Sequence, residues 1–440
     1  MRSRLEIVTG KKAMFALSVL LVAVLASAAL ARTDITFWHV WDGARLPLIE
    51  QVVQDFEAAH PDIKVNAELV SQQGLMEKYL TAIAGGLPPD VIQVNASFLH
   101  AFAGRGVLLE LDPYMDRDSF DPYAVFYPSE YEAFTLGGRT YSLPLDVSGS
   151  YLLFWDKDQA AAAGLNPAQA PVTWNELEAF AEKLTVANPD GSFERIGFNP
   201  AAISNNPFLV WLYLNNGRAF SQDERHVSFD SSEGIEAMEW LVGFADRLYG
   251  GFPSILGYLG DATSNGWHVT GLFYTGQVAA HISGVWHFAQ LDANAPTKNY
   301  GVAVLPHNSN NPNARLCQPV SGGWGYAIPK DAAHYEEAWE FIKYATAGKG
   351  SLDFFLAQKR PSAVPVVNDD PRFAESNPHW DVVLETLEHR EQVPSLPIQP
   401  QILDTIKQMT ELAIRKGMSP KEALAWGSEG VQRILDDYWK

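Results

Sequence analysis

Cysteine is almost missing from this sequence. Only Cys317 among 440 residues carries a thiol, which excludes an internal disulfide framework and any multi-cysteine metal or iron–sulfur site. Basic charge is scarce as well. Lys and Arg number 32 against 52 Asp and Glu, a net of −20, so the basic footprint that nucleic-acid binding requires is missing. No G-x-S-x-G, P-loop, H-E-x-x-H or G-x-G-x-x-G signature occurs, which removes the common hydrolase and nucleotide-binding motifs. There is no internal repeat and no low-complexity tract. The 11 histidines are scattered, and the nearest pair, His281 and His287, has no carboxylate at ligand spacing. No metal or cofactor is therefore expected. Beyond residue 31 no apolar run is long enough to span a membrane; the longest uncharged stretch, Ala262 to Leu291, is broken by Asn, His, Gln and Gly.

The N-terminus is the exception. Arg2, Arg4, Lys11 and Lys12 precede an uncharged stretch, Ala13 to Ala31, that ends in Ala29-Leu30-Ala31. A positive start, an apolar middle and small residues at the end describe a cleavable secretory signal peptide, residues 1–31; an uncleaved anchor is the rival reading. The mature chain then carries 28 basic and 51 acidic residues, a net of −23. No cysteine stands at the cut, so no lipid anchor is expected, and the compartment is a periplasm. At 47% hydrophobic and 19% charged residues the chain is globular, and its length calls for two domains of about 150–200 residues.

The mature sequence opens with alternating strand and helix patterns. Ile35 to Trp41 has strand composition, and Leu48, Val52, Val53, Phe56 and Ala59 recur at helical spacing before Pro61. A strand over 63–70, a helix over 75–84, a strand at Val91–Val94 and a helix from Phe98 follow. This order predicts a parallel sheet with helices on its faces. The middle is more helical, with a capping box at Thr173–Glu176 and a helix start at Asp230–Glu233. Apolar strands follow at 278–282, 300–305 and 325–328. Asp331 is the expected cap of a helix beginning at Tyr335.

In open α/β sheets ligands bind beyond the carboxyl ends of strands, and four such ends here are aromatic and amide-rich. Trp41 and Asp42 lie past the first strand, where a ligand role competes with sheet packing. Asn95 and Ser97 follow the third; an amide there is either a hydroxyl partner or a helix cap. Asp146 is the single charged residue between Tyr141 and Trp155; it accepts from ligand hydroxyls or sits in a hinge turn. Trp286 follows Ser283-Gly284, and Trp324 follows Gly322-Gly323, where ligand stacking competes with core packing and plain turns.

The chain resembles the carbohydrate class of extracellular solute-binding proteins, the receptors of bacterial ABC importers. The likeness runs over the whole mature chain in ITFWHVWDG, FEAAHPDIKV, GGLPPDVIQVNASFLHAFAGRGVLLEL, YSLPLDVSGSYLLFWDKD, FYTGQVAAHISGVWHF, NYGVAVLP, GGWGYAIPK and AWEFIKYAT. It implies an α/β, type II-like periplasmic-binding-protein fold: two lobes, a three-segment hinge and a sugar in the cleft between them. Lobe 1 is expected over 32–145 and 322–362, lobe 2 over 147–321 and 363–440. The resemblance further implies binding roles for Trp41, Asp42, Asn95, Ser97, Asp146 and Ser148. It assigns Trp286 to stacking on a sugar face, Gly322 and Gly323 to the second crossover, Arg360 to the cleft side or a surface salt bridge, and Trp211 to a further aromatic wall; Trp324 is counted with the binding residues. The partners it implies are a sugar and the permease subunits of the importer, with the receptor a monomer.

Two other functions compete. The FWH opening and NPAQAP stretch are also similar to glycerol-phosphate receptors of the same superfamily, although Trp286 favours a neutral sugar. A secreted glycosidase would need two carboxylates about 5–9.5 Å apart, for which Asp42 and Asp146 are the available pair.

Overall fold

The computed structural model describes residues 32–71, 74–147, 150–203, 206–260, 267–320, 322–393 and 396–440. The expected signal peptide and Ser148 lie outside these. Among the described residues fourteen strands form in chain order: β1 Thr33–His39, β2 Ile63–Leu69, β3 Val91–Asn95, β4 Thr135–Leu136, β5 Arg139–Thr140, β6 Leu143–Pro144, β7 Tyr151–Asp156, β8 Val186–Ala187, β9 Phe193–Phe198, β10 Val278–Gly284, β11 Tyr300–Ala303, β12 Gln318–Val320, β13 Trp324–Ala327 and β14 Arg390–Gln392.

Four of them pair as β4-β5 and β12-β14, and the other ten build two five-stranded sheets, each the centre of one lobe. The first runs β2-β1-β3-β13-β6 and the second β11-β7-β10-β9-β8. In the first, β1 is parallel to β2 and to β3, as the opening β-α-β pattern predicts. The later strand β13 then inserts antiparallel between β3 and β6. The chain thus builds most of one sheet, leaves for the second, and returns.

Period-two alternation decides which side chains face which layer. Along β7, Leu152 and Phe154 enter one buried cluster while Leu153 and Trp155 enter another. Both faces of that strand are buried, which is why YLLFW has no polar position. The cluster around Leu153 and Trp155 is closed by the C-terminal helices Gln399–Ile414 and Pro420–Trp439 through Ile402, Ile406, Leu424 and Val431. The cluster around Phe154 reaches across the lobe boundary. It holds Phe288 and Val302 together with Leu145, Tyr326 and Phe354, and Val364, Phe373 and Trp380 belong to it as well.

Local caps mostly follow the sequence signals. The Thr173–Glu176 capping box is present at helix Trp174–Leu184, and Ser231 caps helix Ser232–Tyr249. Asp331 is an exception. Helix Tyr335–Ala347 starts after His334, with no side-chain cap of its own. The His334 N–H instead donates to Asp90 Oδ1 at 3.0 Å, from the other end of the sequence.

Candidate functional site

Three chain segments pass between the lobes, and Asp146 ties them together. It bridges in antiparallel fashion to Ser362. Its Oδ1 accepts the Trp324 N–H at 2.6 Å, and its Oδ2 pairs with Arg360 Nη2. The neighbouring Leu145 N–H donates to Trp324 O at 2.8 Å, and Ala363 N–H donates to Leu145 O at 3.2 Å. Asp146 and Arg360 are 2% and 4% exposed, so neither is a surface ion pair. Burial raises the Asp146 carboxyl above the ordinary carboxylate range, with the Arg360 charge and the Trp324 N–H opposing it. Both carboxylate oxygens are therefore occupied by the hinge itself.

The Gly322-Gly323 pair has the same cause. Gly322 has φ +77°, and a β-carbon there would stand 2.4 Å from Ala96 Cβ and 2.6 Å from Ala133 Cβ. A β-carbon on Gly323 would stand 2.2 Å from Asp146 Oδ1. Gly323 lets the second segment lie against the first at Asp146, and Gly322 lets it press on Ala96 and Ala133, because neither carries a side chain.

Asn95 is a cap. Its Oδ1 accepts from Ser97 N at 3.1 Å and from Ser97 Oγ at 2.6 Å, opening helix Ala96–Gly104, and its Nδ2 donates to Gly323 O at 3.2 Å. Trp41 is buried beside the hinge. Its indole N–H donates to Tyr326 Oη at 3.1 Å, its ring meets Trp324 edge-on at 6.1 Å, and the Arg45 guanidinium covers it at 5.0 Å. Asp42 is exposed and pairs with Arg45 at 2.5 Å. Trp324 keeps part of its surface in solvent.

Trp286 stands on the second sheet, just past β10, and is partly exposed. Its ring meets Tyr151 edge-on, with centroids 5.9 Å apart and planes at 80°. Trp211 joins neither group. It is fully buried in helix Pro207–Leu214, packed against Trp174 and Trp240, with its N–H given to Pro200 O at 2.8 Å. Core packing accounts for its position, and these contacts lend the expected aromatic-wall role no support.

The contacts thus gather Trp41, Asn95, Ser97, Asp146, Gly322, Gly323, Trp324 and Arg360 around the hinge. Sequence reasoning missed Tyr151, Tyr326 and Arg45. Arg45 was within reach of the sequence, three positions after Asp42 and four after Trp41; Tyr151 and Tyr326 become visible only when distant segments meet.

Cys317 is buried, and burial pushes its thiol up to about 11, so it is protonated and a poor nucleophile. Among the described residues no group of three His, Cys, Asp or Glu could hold a metal ion, and no helix is long and apolar enough to cross a membrane.

With this geometry in place, comparison with known proteins is decisive at the level of family. Residues 43–350 match the model of the bacterial extracellular solute-binding protein family. The chain belongs to that family. A putative binding protein of Brucella abortus is 25% identical over 388 residues, covering 84% of this chain and 89% of the relative. The sn-glycerol-3-phosphate-binding periplasmic protein of Pectobacterium atrosepticum is 23% identical over 437 residues, covering 94% of each. A solved ABC substrate-binding protein of Listeria monocytogenes, in complex with cycloalternan, superposes with a TM-score of 0.78 at 23% identity, covering 92% of this chain and 99% of that one. At that identity the likeness establishes the fold: this solute-binding protein has the two-lobe architecture with a hinged cleft that its sequence resemblance implies.

Proposed function

We propose that this solute-binding protein is the periplasmic receptor of an ABC importer for a neutral mono- or oligosaccharide. It captures the sugar by hinge closure and delivers it to the permease without chemical change. One observation carries the reading. The aromatic surface at the lobe boundary is partly open at Trp286 and Trp324, while the guanidinium groups of Arg360 and Arg45 are engaged by Asp146 and Asp42. A sugar offers apolar C–H faces that suit an indole plane and hydroxyls that suit neutral donors and acceptors. An anionic ligand would have to share these guanidinium groups with their carboxylates or bind through backbone N–H groups.

The ligand-facing set we propose is Trp286 and Trp324, with Asp42 and Ser97 at the rim; the binding role expected of Ser148 is proposed with them. Asp146, Arg360, Asn95, Gly322 and Gly323 hold the hinge in this reading, and Trp41 backs it. The engagement of both Asp146 oxygens also weighs against pairing Asp42 and Asp146 as glycosidase carboxylates. We assign 32–145 and 322–362 to lobe 1 and 147–321 and 363–440 to lobe 2. Strand membership supports this, although the buried cluster at 364–383 touches both. Cleavage after residue 31, a lipid-free periplasmic form and a monomer complete the proposal.

A phosphorylated polyol is the second reading, favoured by the glycerol-phosphate-binding relatives. A thermal-shift screen of the mature protein against mono-, di- and oligosaccharides and glycerol 3-phosphate separates the two. A ligand at 100 times its Kd stabilises by about 2.7 kcal/mol. A shift with glycerol 3-phosphate alone would replace the sugar reading, and turnover of any glycoside above the blank would end the receptor reading.

A further inference from the structure

The indole of Trp286 rests on a residue that nothing in the site otherwise requires. Gly284 is the last residue of β10 and stands directly opposite Tyr151 in the antiparallel ladder with β7. A β-carbon on Gly284 would lie 2.1, 2.2 and 2.4 Å from Cζ3, Cη2 and Cε3 of Trp286. Near-equal distances to three successive ring carbons put that point over the ring face; a point off the ring edge would be markedly farther from two of them. One face of the indole is therefore laid on the Gly284 backbone, while Tyr151 meets it edge-on. Gly284 is not among the residues with positive φ. Its backbone therefore accepts an alanine, and the nearest atoms the new methyl would meet all belong to the indole.

We propose that Gly284 is a positioning residue for ligand binding. By carrying no side chain it lets the Trp286 indole lie down on the strand end, braced by Tyr151, with its opposite face as the stacking plane. This rests on the reading of Trp286 as a sugar-stacking residue. An alanine at Gly284 would lift or tilt the ring and misplace that plane without touching the ligand itself.

The molecule contains its own control. Gly301 faces Trp155 across β11 and β7, and a β-carbon there would stand 2.1, 2.2 and 2.5 Å from the Trp155 ring. That indole is buried in the core, with its N–H donated to Pro167 O at 3.1 Å. The same steric insult is thus available at a tryptophan that no ligand would touch.

The test measures calorimetric affinity and melting temperature for wild type, Gly284→Ala, Trp286→Ala, the double variant and Gly301→Ala. The probe is whichever of glucose, maltotriose and cycloalternan wild type binds most tightly. Gly284→Ala is expected to weaken binding at least tenfold, yet change affinity less than twofold when added to Trp286→Ala. Gly301→Ala should lower the melting temperature while its folded fraction binds normally. Tyr151→Ala, which removes the edge contact without adding bulk, is the second arm should Gly284→Ala fail to fold. It should weaken binding at least threefold, again only while Trp286 is present. Wild-type affinity in folded Gly284→Ala, or an equal loss with and without Trp286, overturns the inference while leaving Trp286 itself in place. Unchanged affinity in Trp286→Ala instead removes the stacking role on which it rests.

Discussion

At the scale of single residues, Trp286 and Asp146 are separated by what surrounds them. Trp286 is partly exposed at a strand end, where an aromatic plane can be an anchor, and truncating a central anchor costs about 2–4 kcal/mol of binding. Trp286→Ala should therefore weaken sugar affinity by about 30-fold or more, with little change in melting temperature; calorimetric titration beside melting curves reads both. Asp146 is different, because its carboxylate serves Trp324 and Arg360. Asp146→Asn would leave the Arg360 charge buried and uncompensated, which costs about 3–5 kcal/mol of stability, read by denaturant unfolding. The reverse variant, Arg360→Met, leaves a buried carboxyl without its counter-charge and so raises it further. A carboxyl that binds its proton more tightly when folded stabilises the fold below its unfolded value and loses that contribution as pH rises through the folded one. Arg360→Met should thus regain stability on moderate acidification relative to wild type. Only part of this contrast was legible beforehand. The lone charge in an apolar run marked Asp146 as special, since an unpaired buried charge is too costly to keep. Its partner lies 214 positions away, and no local pattern points to it. For Trp211 the signal was present: all eight residues of Pro207–Leu214 are buried, and a helix apolar on every side belongs to a core.

At the scale of elements, β10 and the helix that follows it carry a buried histidine pair. His281 on the strand and His287 on helix His287–Asn294 approach through their Nε2 atoms at 3.0 Å. His287 Nδ1 faces Gln290 Oε1 at 3.4 Å, so it holds the proton and its Nε2 accepts from His281. The surroundings oppose charging. Phe154 packs against both rings, Phe273 stacks on His281, Tyr274 stacks on His287, and Lys298, itself paired with Asp156, adds positive charge nearby. Burial brings His287 down to about 4, and burial with its charged neighbours brings His281 well below the ordinary value. Groups kept neutral in the fold but protonated when unfolded stabilise above their unfolded value of about 6.5 and lose that contribution as pH falls below it. Wild-type stability should therefore fall between about pH 6.5 and 4. In a His281→Phe, His287→Leu variant the slope should be shallower by about 1.4–2.7 kcal/mol per pH unit, the equivalent of one or two protons. Equal slopes in parallel chemical unfolding series would show that the pair stays uncoupled from folding. Element order was readable along most of the chain because strand and helix periodicities are local. Strand β13 was placed in the first sheet by the family resemblance, which put 322–362 in lobe 1, and not by local periodicity. Its partners Asn95 and Val94 are more than two hundred positions earlier, and pairing at that distance is set by the tertiary fold.

At the scale of the whole molecule, the lobes meet through three hydrogen-bonded segments and a buried cluster, and a cleft that closes must bend there. The segments converge on Asp146, with glycine at both positions where the second segment presses on its neighbours. Side-chain-free contacts allow two backbone stretches to shift against each other with few packed atoms to rearrange, which suits a hinge between rigid α/β bodies. On the lobe assignment proposed above, two ion pairs among the described residues add ties between the lobes. Glu130–Arg390 is buried, whereas Lys359–Asp292, at 2.5 Å, is open to solvent and screened by salt. Ligand binding that pulls the lobes together should leave two signatures in one sample. Saturating sugar should raise the melting temperature in step with its concentration, as mass action requires, and small-angle scattering should show the radius of gyration falling over the same range. In Trp286→Ala both responses should move together to higher sugar concentration. A melting shift with an unchanged radius would mean that the sugar docks on one lobe, and would remove hinge closure from the proposed transport step while leaving sugar recognition intact.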